Sequence, residues 1–355
     1  MRRPVSPNAV LHAPSRAASA GVWVAKAPLK AVPIPVRGVY GAPPPVPLSL
    51  VRAALTPRPW GARRAVPRLE ARLEGFQVDS RTLERYRSVM HTDTEVPLAF
   101  PQLVATQLHL ALLGSPRFPL SVAGLVHPRF TIHQRHALAP DDPLDVHAWI
   151  EGRRETRSGI EFDLRATVAT GGEILWESTA ATLSRRKRKK PSPSAASRTE
   201  PQKGSRADSA QSAESAQSAQ LAKSAESGNG AGSPGEPDYP AGAAFEAPAD
   251  AGRRYAAVSG DYNPIHLHPR TSVLMGYKRP IAHGWWLLGR CLAELGLDGA
   301  QRPTVVEVEF LRPTMLPATL ELVSLPEGSE TGTTTRFALR DEAGKPKLTG
   351  VSRPA

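Results

Sequence analysis

The 355-residue chain reads as an α+β protein built twice on one plan, with each copy a sheet wrapped around one buried helix. Three observations predict this. Two stretches, Phe100 to Leu113 and about Gly284 to Leu295, are apolar on nearly every face and are ended by Gly114 and Gly296, so both must be buried helices. Each is followed by short runs in which apolar and polar residues alternate, as in strands that bury one face. Two polar, low-complexity stretches set these blocks apart.

Taken in order, residues 1–69 form a leader rich in Pro and Ala. It holds eleven Arg or Lys, and no Asp or Glu occurs before Glu70. Nearly all of the net charge of +12 therefore sits in the leader, which weakens any case for a basic, nucleic-acid-binding folded domain. An acid-free, Arg-rich leader is compatible with a transit peptide, a disordered tail or an upstream extension; its prolines spoil the amphipathic helix a mitochondrial signal needs, and disorder is expected. Block one, 70–184, opens on Tyr86-Arg87-Ser88-Val89, holds the first helix, and continues in strand-like runs from Leu125 to His133, Leu144 to Ile150, Ile160 to Val168 and Ile174 to Leu183. Residues 185–250 begin with the run Arg185-Arg186-Lys187-Arg188-Lys189-Lys190 and continue in near-repeats such as Ser212-Ala213-Glu214-Ser215-Ala216-Gln217. Such a segment cannot bury enough apolar surface to offset chain entropy, so a flexible linker is expected. The basic run has no interleaved aromatics and reads as a solvated flank, although a nucleic-acid contact or nuclear address has the same composition. Block two, 251–355, opens on Tyr255-Ala256-Ala257-Val258, holds the second helix, and continues from Val305 to Leu311, Leu320 to Leu325 and Thr335 to Leu339.

Composition sets outer bounds. With 36 Pro and 28 Gly in a chain that is 40% hydrophobic, much of it is not packed core, and about 220 residues are foldable, roughly two modest domains. The single cysteine, Cys291, excludes an internal disulfide and any Cys-based metal site. No apolar stretch approaches the roughly 18–20 residues of a membrane span. A soluble, cytoplasmic protein is expected.

The chemistry concentrates in Ser259-Gly260-Asp261-Tyr262-Asn263-Pro264-Ile265-His266 and the later Ile281-Ala282-His283-Gly284. Gly260 and Pro264 exclude a strand or continuous helix across the first segment, so turn geometry aims its carboxylate and imidazole. An acid and a base in such a loop, ahead of a glycine that can open a helix, suit proton transfer beside an activated carbonyl. Singly, Asp261 and Asn263 are ordinary turn formers, Pro264 a breaker and His266 a possible cap; the full frame reads as catalytic.

With Tyr255 as the preceding aromatic, this frame resembles the signature of the MaoC-like, R-specific (type-2) enoyl-CoA hydratases. The resemblance covers roughly residues 70–353, with its specific motif in the last third. It implies a tandem (double) hot-dog fold, in which each half is a long helix wrapped by a curved antiparallel sheet. It also implies reversible hydration of trans-2-enoyl thioesters of coenzyme A or acyl carrier protein in fatty-acid metabolism, with no cofactor and no metal. Carried over by position, Asp261 and His266 share the water, Asn263 holds the loop, and Gly284 offers a backbone N–H to the thioester oxygen. Tyr255, Ser259, Gly260, Pro264, Ile281 and His283 frame the substrate, and Lys278 and Arg279 lie where coenzyme A phosphates would meet them. Two departures stand out: His268 where many members carry an acid, and Ser272 where alanine is usual. His268 and His283 read as structural histidines, and Trp285 and Trp286 as core or tunnel wall.

The blocks are unequal. From tyrosine to the last helix leucine is 27 residues in block one (Tyr86 to Leu113) and 40 in block two (Tyr255 to Leu295), and the missing stretch is the one with the motif. Block one keeps only His91 and Asp93. By the resemblance it is the non-catalytic half that makes room for the acyl chain, and the chain is a pseudo-dimer in itself. Two other functions remain open at this point: a hot-dog thioesterase, and a non-catalytic binding protein that uses its basic tails.

Overall fold

The computed structural model describes residues 36–40, 42, 66–122, 125–185, 239–329 and 332–355. In chain order these hold β1 (Val36–Tyr40), β2 (Leu69–Phe76), α1 (Ser80–Met90), α2 (Pro101–Leu113), β3 (Leu125–Gln134), β4 (Leu144–Glu155), β5 (Gly159–Thr170), β6 (Glu173–Arg185) and β7 (Ala243–Ala247). There follow α3 (Ala251–Ser259), a 3-10 turn (Pro264–His266), α4 (Pro269–Leu274), α5 (Gly284–Glu294), β8 (Thr304–Phe310), β9 (Ala318–Ser329), β10 (Gly332–Asp341) and β11 (Pro346–Pro354).

The strands form one sheet in the order β1-β2-β4-β5-β6-β3-β8-β11-β10-β9-β7. All neighbours are antiparallel except β1 and β2. Block one supplies the run β2-β4-β5-β6-β3, with β1 added at its edge, and block two the run β8-β11-β10-β9, with β7 added at its edge; the blocks meet where β3 pairs with β8, from Arg129 opposite Glu309 to Gln134 opposite Thr304. The sheet thus runs unbroken from one half into the other. This is the double hot-dog arrangement, with α2 and α5 as the two central helices.

Both helices are buried for the reason their composition gives. Proline at the start of α2 costs no hydrogen bond there, and Leu103, Val104, Ala105, Leu108, Leu112 and Leu113 are all buried, with the helix packed on β2, β4 and β5. Trp286, Leu287, Leu288, Cys291 and Leu292 of α5 are likewise buried, at about 1.5–3 kcal/mol for each large apolar side chain. Block one's interior also holds polar groups. His109 of α2 bonds the Arg165 carbonyl at 2.9 Å, and Ser178 donates to Gln102 at 2.9 Å.

The halves also meet through helices. At Gly289 an added Cβ would lie 2.8 Å from Met90 Sδ and 3.3 Å from the Tyr86 hydroxyl, so α5 comes close to α1 only because that residue is glycine. The end of α1 is capped from across this contact: Trp286 donates to the Val89 carbonyl at 3.3 Å and Arg290 to the Met90 carbonyl at 3.0 Å. Thr92 donates to Asp298 at 2.5 Å.

Two strands fall where no structure is expected from the sequence. β1 lies within the stretch read as a disordered leader, and β7 within the stretch read as linker. A five-residue strand is too short to change the composition of the window around it, yet β7 turns Phe245 and Ala247 inward, and Phe245 packs its ring on Trp286 at 6.0 Å. Residues 1–35, 41 and 43–65 of the leader and 186–238 of the linker, including the basic residues 186–190, lie outside the described residues. No helix among the described residues is long and apolar enough to cross a membrane.

Candidate active site

The motif loop is a chain of local hydrogen bonds. α3 ends at Ser259, and Gly260 follows at φ 73°, a left-handed cap that favours glycine. The Ser259 hydroxyl donates to the Tyr255 carbonyl at 2.9 Å and accepts from the Asp261 N–H at 3.1 Å. The Asp261 carboxylate accepts from the Asn263 N–H at 3.2 Å, and the Asn263 side-chain oxygen accepts from the Ile265 N–H at 3.4 Å. Asn263 thereby caps the 3-10 turn that Pro264 opens and His266 closes.

His266 is held from two sides. One ring nitrogen, Nδ1, lies 2.7 Å from the Ile281 carbonyl; a carbonyl only accepts, so Nδ1 carries the proton and Nε2 keeps its lone pair. Behind the backbone stands Gly252 of α3, where a Cβ would come within 2.1 Å of the His266 carbonyl oxygen. The carbonyls of the turn are tied to α4: the Ser272 hydroxyl, fully buried, lies 3.0 Å from the Ile265 carbonyl, and Thr271 donates to the Pro264 carbonyl at 2.7 Å. Serine in place of the usual alanine thus adds a brace to the loop.

His283 completes the cluster. Its ring stacks on His266 with centroids 3.6 Å apart and packs against Tyr255 at 4.9 Å. Its Nε2 donates to the Asp261 carbonyl at 3.1 Å and lies 3.8 Å from the Asp261 carboxylate. Nδ1 is buried with no hydrogen-bond partner among the described residues. Burial pushes His266 below the ordinary histidine range, against the opposing pull of Asp261 and the Ile281 carbonyl. Burial and the neighbouring His266 push His283 well below it. Both rings are therefore neutral at pH 7. Asp261, His266 and His283 have ligand atoms within 4.8 Å of one another. The His283 nitrogen that faces Asp261 is engaged as a donor to a carbonyl, and this tautomer suits an acid/base cluster rather than a metal ligand set.

α5 begins directly after His283, and among the described residues no side-chain cap bond is made there, so the Gly284 N–H is placed for an incoming acceptor. A Cβ on Gly284 would stand 3.1 Å from the Phe310 ring. Block one reaches this point too: Phe130 and His127 of β3 lie 4.2 and 5.5 Å from the Trp285 ring.

The structure thus brings Asp261, Asn263, His266, His283 and Gly284 together. Tyr255, Ser259 and Ile281, read from the sequence as substrate-framing, are buried at 3%, 2% and 8% exposure and brace the loop from behind. Pro264 and Lys278 are exposed, and Arg279 donates to the Pro317 carbonyl at 3.3 Å. His268 caps α4 by accepting from the Arg270 N–H at 3.2 Å, a structural role. His91 and Asp93 lie exposed beyond the end of α1, His91 as its left-handed cap at φ 54°. Gly252 and Phe310 went unnoticed in the sequence; a glycine inside a helix, which costs about 1 kcal/mol against alanine, was the available signal for the first.

Residues 236–343 match the family model described as MaoC like domain. The chain is 29% identical over 284 residues to 3-hydroxyacyl-thioester dehydratase X of Mycobacterium tuberculosis, covering 77% of this chain and 86% of that protein. The crystal structure of HtdX from the same organism superposes with a TM-score of 0.61 at 24% identity, covering 81% of this chain and 100% of that one. A MaoC-like dehydratase from Phytophthora capsici superposes at 0.55 with 16% identity, over 83% of this chain and 98% of that one. Residues 236–343 thus carry a MaoC-like domain, and across both halves the chain is similar in sequence and fold to MaoC-like dehydratases.

Proposed function

We propose that the protein is a hydro-lyase that interconverts trans-2-enoyl and (R)-3-hydroxyacyl thioesters. The likeness to 3-hydroxyacyl-thioester dehydratase X supports the reaction class. The observation that carries the mechanism is the fixed tautomer of His266, whose Nδ1 is committed to the Ile281 carbonyl while Nε2 stays free beside Asp261. In the hydration direction, a water between Asp261 and His266 gives a proton to Nε2 as its oxygen bonds to C3. The C2–C3 π pair moves toward the carbonyl, and the Gly284 N–H stabilises the oxyanion. The Asp261 carboxylate steadies the imidazolium until the proton passes to C2, leaving hydroxyl on C3 and hydrogen on C2.

Residues 70–184 act in this reading as the non-catalytic half and 251–355, with β7, as the catalytic one. The contact of Phe130 with Trp285 supports a shared acyl-chain wall. The test is to incubate the purified full chain with crotonyl and longer trans-2-enoyl thioesters, follow the conjugated double bond, and determine product chirality. Loss of the double bond with an R product is expected. Free-thiol release with the double bond intact would replace this reading with thioester hydrolysis.

A further inference from the structure

The chain has no Asp or Glu between Asp261 and Glu294, although this segment includes the whole approach from the motif loop to α5. Within it, α4 shows two apolar side chains to solvent, Val273 at 56% and Leu274 at 69% exposure, and Tyr262 of the motif loop is 43% exposed. Scattered exposed apolar residues are ordinary, but adjacent ones on one short helix form a patch. Cations flank it along the chain: Arg270, three and four positions before Val273 and Leu274 on the same helix, and Lys278 and Arg279 on the loop that follows, all exposed. Arg185, at the end of β6, lies near enough for its charge to act on Tyr277 of that loop. α4 is fastened to the dyad loop by the Thr271 and Ser272 hydroxyls, so whatever rests on it sits beside His266.

We propose that the exposed face of α4 is the docking surface for an acidic acyl carrier protein that presents the thioester. The proposal rests on the reading of the site given above and adds who delivers the substrate. Coenzyme A phosphates would use the cations but leave Val273 and Leu274 facing water. A protein with an acidic rim and an apolar centre uses both.

The test compares crotonyl thioesters of acyl carrier protein, coenzyme A and N-acetylcysteamine as substrates for the full chain and its Arg270→Glu and Leu274→Glu variants. kcat/KM for the carrier-protein thioester should fall at least about tenfold in each variant, mainly through KM, and rising salt should narrow the difference for Arg270→Glu. The N-acetylcysteamine rate should be unchanged, which also shows that the variants fold. An equal loss on the coenzyme A thioester, or no loss on the carrier-protein thioester, overturns the proposal. Calorimetric titration with holo-acyl carrier protein separates it from the site reading: binding that Arg270→Glu weakens supports docking even if no thioester is hydrated, and absence of binding to the wild type overturns it.

Discussion

His266 illustrates how burial and a hydrogen bond divide the work at one side chain. The bond from Nδ1 to the Ile281 carbonyl selects the tautomer, and burial keeps the ring neutral and basic at Nε2. Asp261→Asn and His266→Ala should each lower kcat by about 10²–10⁴-fold with the fold intact by circular dichroism. If the two share one water, as proposed, the double variant should be scarcely slower than either single one. His283→Asn, which removes a stacked support and no reacting group, should cost on the order of 10²-fold or less. The same histidines set a pH signature. Their folded pKa values are depressed, so their contribution to stability is complete above the unfolded value and is lost as pH falls through it toward the folded one. His109 and His127, pushed down to about 4 by burial, act with the same sign. The melting temperature should therefore drop between pH 7 and pH 5, and His283→Asn should reduce the slope. A flat profile over that range would refute the neutral, buried state of these rings.

At the scale of elements, the site depends on how closely α3 approaches the 3-10 turn. Gly252→Ala ordinarily favours a helix by up to about 1 kcal/mol, but here the new methyl would press on the His266 backbone at 2.1 Å. Net destabilisation of about 1–3 kcal/mol in denaturant melts is expected, together with a loss of kcat larger than Gly289→Ala produces, since at Gly289 the flexible Met90 side chain can give way. The two central helices and most of the strands were legible in the sequence because their apolar periodicity is strong. β11 was not. Its burial alternates, but through Leu348, Gly350 and Ser352, and Gly350 is small because Phe337 fills the space above it, with Cζ 2.3 Å from where a Cβ would be. The residues proposed to react were legible, because Asp261, Asn263 and His266 sit in one contiguous frame. Its supports were less so, since the Ile281 carbonyl is backbone and the stack of His283 on His266 joins rings 17 positions apart.

For the whole molecule, the seam between β3 and β8 and the helix contact at Gly289 make the halves mutually dependent. The second half expressed alone from residue 239, so as to keep β7, would expose the β8 edge and leave Arg290 without the Met90 carbonyl. It should be insoluble or self-associated by size-exclusion chromatography; a stable, active monomer would show that block one plays no part in the site. The seam has a further outcome for how such a chain can change over generations. In a symmetric pair of identical subunits, every substitution is made twice and both clefts must stay alike. Here the joined strands place two independently varying surfaces side by side, so block one can lack the motif stretch while still packing on Trp285. On the proposed function the working unit is then odd-handed, with one reaction centre per polypeptide, and a tight-binding inhibitor should saturate it at a single equivalent.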